Sequence, residues 1–216
     1  MQYKIRNSSQ SSVPTVFIHA FTGDGQDVWD ACRAMQCPPF NLVTLYGFDP
    51  ENDLTPWSAD NIRKGAAPFG QGAMLHLQHI LHEVIPEVET QLPAPSACLA
   101  MAGYLLAGLF TLWTACQTDR FARLACISAS FWYPDFITYL QHTPFAGTPQ
   151  GIYGSLGDRE SKTHHPLLSQ VDHCTHAVFQ HIQSMRIPSV FELNPGTHFT
   201  RPDYRTARAI QWMLQQ

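Results

Sequence analysis

Residues 97–113 read ACLAMAGYLLAGLFTLW, a change of pattern within a single apolar run. From Ala97 to Gly103 the residues are small or apolar with no polar alternation, as in a strand buried on both faces. From Leu106 onward the run continues as an apolar helix, and Gly103, Ala107 and Gly108 supply small residues where strand and helix backbones must pass closely. A strand covered on both faces implies a mostly parallel sheet with helices on either side, an α/β fold.

The rest of the chain repeats that alternation. Short runs with β-branched residues predict strands at 13–19, 41–46, 97–103, 124–128, 151–156 and 189–193. Between them, helical patterns are predicted at 26–35, 72–91, 106–116, 134–141, 167–185 and 204–214. In 72–91, Leu75, Ile80, Leu81, Val84, Ile85 and Val88 form an apolar stripe expected to face the sheet, with a bend at Pro86. Residues 49–72 carry Pro, Trp, Gly and Asn without periodicity and are expected to be a long connection of the kind that often binds ligands.

With 216 residues, 44% hydrophobic and 14% charged, the chain is expected to form one globular domain, 1–216. A net charge of -4 with scattered Lys and Arg argues against nucleic acid as a partner. No stretch is apolar enough to span a bilayer, and residues 1–12 are polar, so the expectation is a cytoplasmic protein without a membrane partner. The six cysteines (Cys32, Cys37, Cys98, Cys116, Cys126, Cys174) contain no Cys-x-x-Cys pair and are expected to be reduced and structural. A homo-oligomer is compatible with this composition.

Strand, tight small-residue turn and helix are the setting of a nucleophile elbow, in which the central residue is displayed at a sharp turn ahead of a helix N-terminus. Here Ala102-Gly103-Tyr104-Leu105-Leu106-Ala107-Gly108 resembles the Ala-Gly-Tyr-Ser-Leu-Ala-Gly elbow of the esterase family of the α/β-hydrolase superfamily, whose members include siderophore (enterochelin-type) esterases and S-formylglutathione hydrolases. Leu105 stands at the serine position. Further stretches resemble the same family: Leu54-Thr55-Pro56-Trp57, Lys64-Gly65, Phe69-Gly70-Gln71-Gly72, Ser128-Ala129-Ser130-Phe131-Trp132, Ser155-Leu156-Gly157-Asp158-Arg159-Glu160 and Asn194-Pro195-Gly196-Thr197-His198-Phe199.

The resemblance implies an α/β-hydrolase fold and a carboxylic-ester hydrolase scaffold acting on a small-molecule ester, with no cofactor. It matches His198 to the general base, which as a bare sequence feature would read as a loop histidine. Glu160 is the first choice for the acid that orients it, and Asp158 the second. The oxyanion hole would take the backbone N–H of Leu106 and one from Phe21 or Thr22, in the loop after strand 13–19. Tyr104, Trp57, Ser130 and Trp132, with Phe69 and Tyr133, are candidates for the substrate wall or for lid and core packing.

A leucine has neither lone pair nor acidic proton, so the covalent route through residue 105 is closed and the chain is expected to be inactive as an esterase. Ser128 and Ser130 lack the strand-turn-helix setting needed to replace the nucleophile. The alternative reading is a non-catalytic relative that keeps the pocket for a ligand or partner. His76, His79 and His82 on one helix, and His173, Cys174 and His176 on another, offer at most pairs of helical neighbours, too few for a metal site, and the histidines are expected on polar faces.

Overall fold

The computed structural model describes residues 1–216. Its strands are β1 (Gln2–Arg6), β2 (Thr15–His19), β3 (Asn41–Tyr46), β4 (Leu99–Tyr104), β5 (Arg123–Ile127), β6 (Gly151–Gly157) and β7 (Ser189–Asn194). They form one sheet in the order β1-β3-β2-β4-β5-β6-β7, with β1 antiparallel to β3 and all other neighbours parallel. The six expected strands are present with small shifts at their ends. The added β1, QYKIR, alternates polar Gln2, Lys4 and Arg6 with Tyr3 and Ile5, as suits an edge strand half in solvent.

The helices are α1 (Gln26–Ala34), α2 (Pro50–Asp53), α3 (Ala73–His79), α4 (Ile85–Gln91), α5 (Leu106–Thr114), α6 (Phe136–His142), α7 (Val171–Ser184) and α8 (Pro202–Leu214). The 49–72 stretch is therefore not without elements, because Asp49 caps α2 by accepting the Glu51 N–H at 3.1 Å. The long helix expected at 72–91 is α3 and α4 joined by a π turn at Ile80–Val84. That wider turn directly precedes the turn holding Pro86, whose ring and missing N–H disrupt a regular ladder at His82. The expected apolar stripe needs one correction: Leu75 is 74% exposed, and the buried face runs through Leu77, Ile80, Val84, Ile85 and Val88.

Alternation along the strands splits the core in two. Phe17, Leu99 and Met101 point to the face covered by the α3–α4 helix, α5, α6 and α7, while Val16, Ile18, Ala100 and Ala102 point to the face covered by α1 and α8. Each fully buried side chain of the size of Phe17 or Leu42 contributes roughly 1.5–3 kcal/mol. Because the strands from β2 to β7 run parallel, the segments leaving β2, β4, β6 and β7 emerge at one end of the sheet, where ligands bind in open α/β folds. The chain contains no helix long and apolar enough to cross a membrane.

Candidate active site

The turn after β4 is built by steric necessity. A Cβ on Gly103 would lie 2.0 Å from the Ala107 carbonyl oxygen, and one on Gly108 would lie 2.7 Å from the Ala129 Cβ. Both positions therefore admit only glycine at this closeness. Leu105 is held at φ 59°, ψ -128°, a conformation that costs a non-glycine residue about 1–3 kcal/mol. Hydrogen bonds fix it there: its N–H donates to Ile127 at 3.3 Å, and its carbonyl accepts from Gly108 (3.0 Å), Leu109 (3.2 Å) and Ser130 (3.1 Å). None of these contacts involves the side chain at 105.

His198 lies on the loop after β7, and its Nδ1 sits 2.8 Å from Glu160 Oε2. Glu160, 2% exposed, follows β6, and its other oxygen accepts from Ser128 Oγ (2.6 Å), the Gly157 N–H (2.7 Å) and Arg205 Nη1 (3.0 Å). Burial opposes its ionisation, but hydrogen bonds from His198, Ser128 and Gly157 outweigh that and hold the carboxyl below its ordinary range. An ionised Glu160 calls for a proton on His198 Nδ1, which leaves Nε2 as the free ring nitrogen, and Nε2 is buried without a hydrogen-bond partner.

Arg205 on α8 also binds the Tyr104 hydroxyl at 3.1 Å, and that hydroxyl donates to the His198 carbonyl. His198 is thus gripped at its ring through Glu160 and at its backbone through Tyr104, with Arg205 joining both. The sequence carries no sign of Arg205, one of two arginines on an amphipathic helix far along the chain from Glu160.

The other expected site residues separate. Asp158 does not meet His198; it accepts the Gly196 N–H at 2.8 Å and so braces the loop that carries the histidine. Leu106 opens α5, where helix geometry leaves its N–H without an intrahelical acceptor, and the N–H groups of Phe21 and Thr22 donate to no backbone acceptor. Leu105, His198, Ser128 and Trp132 line a cavity of about 470 Å³, and Tyr104, Phe21 and Thr22 line a second one beside it.

Trp57 and Ser130 line neither cavity. The Trp57 indole donates to the Pro134 carbonyl at 3.0 Å and packs on Tyr133 and Tyr139, and Ser130 is buried with its N–H on Leu105. Phe69 and Tyr133 belong to the core. The Ser128 hydroxyl is committed to Glu160.

The histidines of the long helix also need a correction. His76 is buried, not on the polar face, and its Nε2 lies 3.0 Å from Nε2 of buried His19, at the end of β2 just before Phe21 and Thr22. Phe48 and Phe110 pack around the pair. Burial, with the neighbouring histidine, pushes His19 well below its usual range, and burial pushes His76 down to about 4. His79 pairs with Glu83 at 3.0 Å, and His82 is exposed, so the three do not converge on a metal. His173 and His176 are exposed, Cys174 is buried, and all six thiols are free.

No known family model matches the chain. The uncharacterized protein YbbA of Bacillus subtilis (strain 168) is 25% identical over 126 residues, covering 56% of this chain and 50% of that protein. The chain thus matches about half the length of this curated relative. Among solved structures, an IroE-like serine hydrolase from Shewanella oneidensis superposes with a TM-score of 0.81 at 17% identity, covering 99% of this chain and 75% of the other. The siderophore hydrolase EstA from Aspergillus nidulans gives 0.77 at 17% identity over 96% and 84% of the two chains. The enterobactin esterase FES from Shigella flexneri gives 0.70 at 15% identity over 99% and 59%. The chain has the α/β-hydrolase fold in the form these esterase-like structures share.

Proposed function

We propose that this chain is a carboxylic-ester-hydrolase scaffold whose covalent chemistry is closed at Leu105 and whose retained capacity is ligand binding. One observation carries the reading: His198, oriented by a buried Glu160 and with its Nε2 buried and unpartnered, lines a cavity together with a leucine held in a strained backbone conformation. In a serine esterase that nitrogen takes the proton of the attacking hydroxyl, and the acid fixes the tautomer and steadies the imidazolium that forms. The N–H groups of Leu106 and of Phe21 or Thr22 would receive the oxyanion. Leu105 supplies no electron pair for the first step, and loss of the nucleophile alone costs about 10⁶-fold in turnover.

Restoring the hydroxyl tests this directly. Leu105→Ser is expected to hydrolyse p-nitrophenyl acetate at rates at least about a thousandfold above the unsubstituted chain. A variant that folds and gains no turnover would sink the scaffold reading. The binding half of the reading is favoured by the 470 Å³ cavity, whose walls include Ile62, Trp132, Leu168 and Val171, a size and apolar character suited to a small organic ligand.

A further inference from the structure

Two cavities of nearly equal volume, about 470 and 460 Å³, share Leu105, His198 and Phe199 as their common wall. Their charges are opposite. The first is lined by Arg159 and Lys162, and its one carboxylate, Glu160, is buried and bound by Arg205 and His198. Lys162 makes no salt bridge, and the only one Arg159 makes is to Asp158 at 3.8 Å. The second is lined by Asp27 and Asp203 and by no Lys or Arg. Both acids occupy first helical turns, where the peptide dipoles stabilise a negative charge, and neither forms a salt bridge.

Like charges along the wall of a cleft focus their field into it, and here Lys162 and both acids are free of salt bridges while Arg159 has only the 3.8 Å contact with Asp158. We infer that the site takes a two-part dipolar ligand: an apolar body bearing an anionic group beside Arg159 and Lys162, linked past Leu105 to a cationic group beside Asp27 and Asp203. The inference rests on reading the cavity at Leu105 as the ligand site, and it adds the charge and the direction in which a ligand lies.

Three fluorescent probes with one apolar body separate the two ideas: dansylglycine carries a carboxylate, dansylamide no charge, and dansylcadaverine an ammonium on a flexible arm. Titrated against the unsubstituted protein, each charged probe is expected to bind about threefold or more tighter than dansylamide, the range of partly exposed charge pairs. The double variant Arg159→Gln/Lys162→Gln is expected to erase the advantage of dansylglycine alone, and Asp27→Asn/Asp203→Asn that of dansylcadaverine alone. Salt at about 0.5 M should flatten both advantages.

All four substituted side chains are at least partly exposed, so these variants are expected to fold. Equal binding of the three probes, or charge preferences that survive both double variants, would overturn the dipolar assignment while leaving the ligand site in place. Failure of all three probes to bind would overturn the ligand-site reading beneath it.

Discussion

The turn at Leu105 and the network around Glu160 border the same cavity, yet different parts of the chain hold them. At Leu105 the work is done by main chain: two glycines that admit no side chain, and hydrogen bonds to Ile127, Gly108, Leu109 and Ser130. Around Glu160 it is done by side chains from separate elements, namely His198, Ser128 and Arg205, with one backbone N–H. A site held by main chain keeps its shape when its own side chain changes, whereas a site held by side chains does not. The turn after β4 can therefore carry leucine without losing its geometry.

If that contrast holds, its two halves should break differently. The largest effect falls on the side-chain half. In a Leu105→Ser background, Glu160→Gln should cost roughly 10⁴-fold in ester turnover with little change in KM, because an amide favours the wrong imidazole tautomer. A loss below about tenfold would mean that Glu160 does not orient His198 in the way a triad acid does.

On the main-chain half, Gly103→Ala should destabilise the fold by about 4 kcal/mol or more, since the new Cβ meets backbone and not a flexible side chain. Urea unfolding midpoints measure this, and near-neutrality would contradict the close approach of β4 and α5.

A third, pH-linked effect comes from the buried pair beneath the loop at Phe21 and Thr22. His76 titrates at about 4 in the fold against an ordinary 6.5, so the unfolded chain takes up the proton first on acidification. Its contribution to stability is complete above pH ~6.5 and is lost as pH falls toward about 4, by on the order of 3 kcal/mol. His19 shifts in the same direction and adds to the loss. Urea unfolding at pH 7.5 and 4.5 should show the drop, and a flat profile would contradict the neutral buried pair.

The smallest effect sharpens the account of residue 105 itself. At φ 59°, Leu105→Gly should be more stable than Leu105→Ala by about 1 kcal/mol, the reverse of the usual order within helices and strands. The ordinary order, with alanine the more stable, would mean that residue 105 is not strained.

What was legible in the sequence follows from how local each feature is. The sheet was readable because its buried strands are continuous apolar runs, and the sharp turn from β4 to α5 because strand, glycine and helix are contiguous in 97–113. Nothing in the sequence marks β1, because an edge strand of five residues with alternating polarity resembles any polar terminus. Arg205 and the His19–His76 pair were out of reach for another reason: their partners lie 45 and 57 residues away, and nothing in the local pattern marks them. His76 shares a helix with the outward-facing His82, so helical spacing alone cannot tell which of the two is buried. Trp57 misled because an aromatic residue in an irregular stretch reads equally as a pocket wall or as core packing, and the bond to Pro134 makes it the latter.

A hydrolase site lacking only its nucleophile, as proposed above, should be revealed by a fluorophosphonate, which phosphylates a hydroxyl only where a base activates it and an oxyanion hole receives the charge. Intact-mass analysis after incubation should show stoichiometric addition to Leu105→Ser, and none to the unsubstituted chain or to Leu105→Ser/His198→Ala. Labelling of the unsubstituted chain would show a nucleophile other than residue 105, and a folded Leu105→Ser protein that stays unlabelled would show that His198 and the turn do not form a hydrolase site.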